Sequence, residues 1–115
     1  MTPTGLFSVL SDQTRLRSLM LIQAENEVCV CELTFALEES QPKISRHLAL
    51  MRDEGIVVSR REGNRMYYRI NADLPRWARK SLDSTLRQLG QLDPFSDDRD
   101  RLKSMTNRPG VDGCG

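Results

Sequence analysis

The sequence predicts a mainly α fold with a small β-hairpin, an α+β winged helix-turn-helix. Three observations carry that reading. A short helix with one apolar side, Glu32 to Glu39, is followed at once by a helix opening at Ser40-Gln41-Pro42. That second helix, running to about Glu54, repeats Ile44, Leu48 and Met51 at i, i+4 and i+7, which gives it a single inward stripe. Two β-rich runs, Ile56 to Arg61 and Arg65 to Ile70, then flank the turn Glu62-Gly63-Asn64.

Taken in order, Leu6 to Leu10 begins a helical pattern. Ser11 or Asp12 caps a second helix, with Leu16, Leu19, Met20 and Ile22 as its apolar stripe up to about Ala24. Glu25-Asn26-Glu27 breaks it, and Val28 to Val30 reads as extended because β-branched residues alternate with cysteine. Leu33, Ala36 and Leu37 share one side of the short helix. Ser40 is a good N-cap for the next, proline is tolerated in its first turn, and Gly55 stops it. Met51 and Met66 are expected in the core. Tyr67 and Tyr68 alternate on the second strand, so one should face the core and the other solvent or phosphate.

Asn71 to Pro75 leads into a last helix, Arg76 to Leu89, ended by Gly90. Its Trp77, Leu82, Leu86 and Leu89 are apolar and suit a dimer seam. Residues 1–92 therefore form the folded domain. Residues 93–115 are charged, then Pro- and Gly-rich, and are expected to be a weakly ordered tail.

The chain has 115 residues, 38% hydrophobic and 29% charged, which suits one small domain helped by a dimer interface. It has no apolar run near the ~20 residues of a membrane span and no signal-peptide pattern, so a cytoplasmic location and reduced cysteines are expected. The net charge of +1 hides an uneven distribution. From Ala24 to Ser40 there are five acids and no Lys or Arg; from Gln41 to Asn71 there are seven bases against three acids. Gln41, Lys43, Ser45, Arg46 and Ala49 lie off the apolar stripe, and small or polar residues on an exposed helical face suit the major groove of double-stranded DNA. Arg60, Arg61 and Arg65 give the hairpin the cations of a wing that reaches phosphate.

Cys29-Val30-Cys31 stands directly before the helix-turn-helix. Two thiolates on one soft centre, each about 2.3 Å from it as with zinc, must lie under ~5 Å apart. Residues i and i+2 share a face in extended chain and diverge on a helix, so joint chelation requires extended or irregular backbone there. A second reading keeps the DNA binding but lets the pair answer another thiophilic metal or an oxidant. A third is a metal-buffering protein that does not bind DNA. An enzyme is not expected, because no nucleophile–base pair or phosphate-cradling loop is present.

Glu27-Val28-Cys29-Val30-Cys31-Glu32-Leu33 and Ser40-Gln41-Pro42-Lys43-Ile44-Ser45-Arg46-His47-Leu48 together closely resemble the arsenic-responsive repressors of the ArsR/SmtB family. Leu10 to Leu16 and Gly63 to Arg69 extend the likeness, which spans roughly Leu6 to Leu89. The resemblance implies a homodimeric repressor that binds an imperfect palindrome in operator DNA and leaves it on binding As(III) or Sb(III), with no organic cofactor. It implies Cys29 and Cys31 as inducer ligands and Gln41, Lys43, Ser45, Arg46 and His47 as recognition-helix contacts, with the wing arginines on the DNA backbone. The best-known family pattern has a third cysteine where this chain has Thr34. Cys114 is the remaining thiol and the candidate third ligand; without it, water, hydroxide or a small thiol would complete a dithiolate. A second metal site of the family, between C-terminal helices, is not expected: Asp83 is the lone carboxylate of the last helix and His47 the lone histidine.

Overall fold

Side-chain caps start the first four helices of the structure, a computed structural model that describes residues 1–108. Helix α1 (Pro3–Leu10) is capped by the Thr2 hydroxyl. Helix α2 (Gln13–Glu25) takes Asp12 rather than Ser11 as its N-cap, the carboxylate accepting the Arg15 N–H at 3.0 Å. That contact holds the Asp12 carboxyl below its usual pKa. Arg15 Nε also donates to the Val9 carbonyl at 2.9 Å, tying the two helices at their junction.

Strand β1 (Val28–Cys29) and helix α3 (Val30–Leu37) follow. The extended stretch is thus shorter than the sequence suggested, and the helix starts two residues earlier. Glu38 closes α3 in the left-handed region (φ 56°) and makes the tight turn into α4 (Gln41–Asp53), capped by Ser40. Gly55, at φ 79°, ends α4, and the Ile56 N–H returns to the Met51 carbonyl at 2.9 Å, as a Schellman closure does. Strands β2 (Val57–Glu62) and β3 (Arg65–Ile70) form the wing, with Gly63 at φ 61° in their two-residue turn. The sheet is antiparallel in the order β1-β3-β2, with Cys29 opposite Tyr67 and Val28 opposite Tyr68. Helix α5 (Arg76–Leu89) and helix α6 (Phe95–Ser104) complete the fold.

The core gathers Leu6, Leu19, Ile22, Leu33, Ile44, Leu48, Met51 and Ile56, all at most 1% exposed. Burial of each such side chain contributes roughly 1.5–3 kcal/mol, and Leu33 with Ile44, Leu48 and Met51 joins α3 and α4 in this one core. Both tyrosines are buried, contrary to the alternation argument. Tyr68 joins the core, while Tyr67, on the other face, is covered by the Arg60 guanidinium 4.5 Å from its ring centre.

The expected weak order from Asp93 onward is corrected for the described residues, because Phe95–Ser104 is helix α6, docked on α2 and α3. Leu102 enters the core at 1% exposure. Asp98, also 1% exposed, receives Arg17 through two hydrogen bonds of 2.6 and 2.9 Å and Arg101 through a third of 2.9 Å. Arg101 Nε donates to the Ala36 carbonyl at 2.7 Å, satisfying an open acceptor at the C-terminal end of α3. A charged stretch that looks solvated in isolation is therefore paired with residues far away in sequence. Among the described residues, no helix is long and apolar enough to cross a membrane.

Candidate functional site

Cys29 is the N-cap of α3 and Cys31 its second residue. Cys29 has extended backbone (φ −87°, ψ 153°), and its side chain folds back over the helix start as an N-cap side chain does, with the Cys31 N–H pointing at its sulfur from 3.4 Å. The two sulfurs consequently meet at 2.7 Å as free thiols, although Cys31 lies within the helix. Glu32 completes a capping box: its Oε1 accepts the Cys29 N–H at 2.8 Å. Burial, reinforced by the neighbouring Cys29, pushes the Cys31 thiol up to about 12, so this thiol is protonated near neutral pH.

The pair opens into a cleft of about 330 Å³. Its other walls are Gln41 and Ser45 from the recognition helix α4, and Asn64 and Arg65 from the wing. Residues expected to read DNA and residues expected to hold the inducer thus line one cavity. Thr34 also lines it, but its hydroxyl is already committed to the Cys31 carbonyl at 2.9 Å. Among the described residues, no group of three or more His, Cys, Asp or Glu is placed to hold a metal ion. Cys114 lies outside the described residues.

The remaining expected DNA contacts divide into three sets. Gln41, Arg46 and Arg61 are exposed. Lys43 is held by Glu39, in the turn before α4, at 3.0 Å, a partly exposed pair worth about 0.2–1 kcal/mol and easily exchanged for phosphate. His47 and Arg60 are engaged within the protein. His47 is half-buried, its Nδ1 is 3.3 Å from Arg15 Nη1, and burial lowers its pKa. The neutral ring accepts from Arg15 and braces α4 against the α1–α2 junction. Arg60 makes two hydrogen bonds to Glu27, of 2.8 and 2.7 Å, and a weaker one to Glu62. The Arg60 guanidinium in turn holds the Glu27 carboxyl low.

Sequence reasoning missed Glu32, Glu27 and Arg108. Cys29-x-x-Glu32 does carry the spacing of a capping box, with cysteine in place of the usual hydroxyl residue. The Glu27–Arg60 and Arg108–Glu32 pairs, 33 and 76 residues apart, leave no local signal.

Comparison with known proteins agrees with this geometry. The family model described as "Bacterial regulatory protein, arsR family" matches residues 12–59. The arsenic resistance transcriptional regulator ArsR2 of Pseudomonas putida is 48% identical over 108 residues, covering 94% of this chain and 92% of that protein. The arsenical resistance operon repressor of Escherichia coli K12 is 46% identical over 85 residues, covering 74% of this chain and 73% of that protein. Among solved structures, the AntR antimony-specific transcriptional repressor superposes with a TM-score of 0.62 at 29% identity, covering 75% of each chain. The homodimeric winged helix-turn-helix DNA-binding domain of Mb0332 from Mycobacterium bovis gives 0.61 at 27% identity, covering 78% of this chain and 83% of that one. With its winged helix-turn-helix and this level of identity over nearly its whole length, the chain belongs to the ArsR family of bacterial transcriptional regulators.

Proposed function

We propose that this protein is a cytoplasmic, homodimeric repressor of an arsenic resistance operon, released from operator DNA when As(III) or Sb(III) binds Cys29 and Cys31. One observation carries the reading: two sulfurs 2.7 Å apart sit in a cleft whose far walls are Gln41 and Ser45 of the recognition helix and Arg65 of the wing.

Two thiolates about 2.3 Å from one centre stand about 3.3–3.8 Å apart. The sulfurs must therefore separate, and because Cys29 caps α3 and Cys31 sits in its first turn, that separation bears on the start of the helix. Leu33 and Leu37 of that helix pack in the same core as Ile44 and Leu48 of α4, so the displacement passes to the recognition helix. The raised pKa of Cys31 is no barrier, because the exchange balances without ionisation. Arsenous acid and two thiols give a dithiolate hydroxide and two waters, each thiol proton leaving with a hydroxide.

Cys114 is the candidate third ligand. It is six residues beyond Arg108, whose guanidinium is bonded to Glu32 beside the dithiol, and six extended residues reach roughly 20 Å. With Cys114 absent from the site, the hydroxide stays.

Dimerisation is supported by the exposure of Phe7 on α1 (55%) and of Trp77 (36%) and Leu89 (40%) on α5, apolar residues that a single copy leaves in water. Phe7 and Leu89 border one groove of about 560 Å³. Two-fold symmetry then matches a palindromic operator, with the recognition helices one DNA turn apart. Gln41, Ser45 and Arg46 contact base edges. Lys43, Arg61 and Arg65 contact phosphate, while Arg60 must first leave Glu27, and His47 acts by bracing α4.

An electrophoretic shift of the DNA upstream of the gene tests the reading. The expected result is a complex that weakens steeply with salt and dissolves on adding arsenite. A complex indifferent to arsenite, or no sequence-specific complex at low salt, contradicts it.

A further inference from the structure

The C-terminal segment holds helix α3 at both ends. At the C-terminal end, Arg101 and Arg17 donate to the Ala36 and Leu37 carbonyls while sharing Asp98. At the N-terminal end, Arg108 Nε donates to Glu32 Oε2 at 2.7 Å, and Arg108 Nη2 donates to Glu25 Oε1 at 2.9 Å. The other oxygen of Glu32 accepts the Cys29 N–H. The Glu32 side chain is 3% exposed and that of Arg108 13%.

A carboxylate this buried is strongly destabilised when its cation is removed. Glu32 thus stays in its capping position because Arg108 neutralises it there. We infer that Arg108 is a positioning residue for the inducer response: through Glu32 it holds Cys29 and the first turn of α3 in the DNA-competent arrangement, and so sets the inducer concentration needed for release. The inference rests on Cys29 and Cys31 being the inducer ligands. Spreading the sulfurs around a soft centre strains the Cys29 N–H to Glu32 bond, and the Arg108 tie opposes that opening. Sequence separation makes the device specific, since the end of the described chain returns to brace the thiol pair 76 residues upstream.

The test uses the full chain and arsenite. Arg108→Ala should release operator DNA at an arsenite concentration about fivefold or more below that for the unmodified chain, within the usual range of coupling between sites. Arg108→Lys, which keeps the charge, should restore most of the difference. In a Glu32→Gln background, where an amide oxygen still caps Cys29 without a charge to neutralise, Arg108→Ala should add little. A second readout needs no metalloid: in a Cys114→Ser background, maleimide labelling of Cys29 and Cys31 should be faster with Arg108→Ala. If Arg108→Ala does not fold, Arg108→Gln is measured in both assays by the same criteria. Release at an unchanged or higher arsenite concentration, or unchanged labelling, overturns the inference. If arsenite fails to release even the unmodified chain, the reading of the inducer site has failed instead, and labelling alone decides the role of Arg108.

Discussion

Serine at positions 29 and 31 together should leave the protein on its operator at arsenite doses that free the unmodified chain. The expected shift is at least tenfold in dose, since coupling between effector and DNA sites commonly spans about 5–150-fold. The substitution removes both proposed ligands and should leave the fold intact. Cys29 serves as the N-cap of α3, and serine is among the best N-cap residues, so helix stability should hold or rise. Cys31 is only half-buried, and a hydroxyl can take its place in the first turn. DNA affinity without arsenite should accordingly stay close to that of the unmodified chain. Anisotropy of a labelled operator fragment, titrated with arsenite, measures both quantities. Release of the double mutant at the ordinary dose would place the sensor elsewhere.

Asp98→Ala should produce a large loss of stability, about 3 kcal/mol, as is typical when one partner of a buried charge pair is removed. Arg17, only 15% exposed, and Arg101 would both lose their carboxylate, and the clamp on the Ala36 and Leu37 carbonyls would loosen. Urea denaturation at fixed protein concentration measures it, since dimerisation makes apparent stability depend on concentration. A loss below 1 kcal/mol would mean that α6 contributes little to holding α3. The same variant should also respond to less arsenite, because the helix it loosens carries the thiol pair.

The helix-turn-helix and the wing were legible in the sequence because their signals are local. Ser40 and Gly55 bracket α4, and Ile44, Leu48 and Met51 mark its inward face. Gly63 marks the hairpin turn between β2 and β3, whose strand β3 was read at its full extent. The dithiol was legible as a pair, but the cause of its closeness was not. Joint chelation was expected to need extended or irregular backbone there, whereas an N-cap side chain brings its sulfur onto the first turn of a helix. The order of α6 was not legible, because its one deeply buried apolar residue is Leu102 and its anchor, Asp98, pairs with Arg17 across 81 residues. The wing arginines showed a further limit. Sequence reading treated Arg60, Arg61 and Arg65 alike, yet Arg60 is spent on Glu27 and Tyr67 while Arg65 lines the thiol cleft. His47 likewise turns to Arg15, a partner 32 residues away.

Because the thiol pair and the recognition helix share one cleft, arsenite and operator should each weaken the other's binding by the same factor. The most direct measurement is a pair of titrations on the full chain: arsenite affinity with and without saturating operator, and operator affinity with and without saturating arsenite. Equal reductions of about fivefold or more are expected. Arsenite affinity that is the same on free and DNA-bound protein would contradict the account, whatever the gene beside the operator encodes.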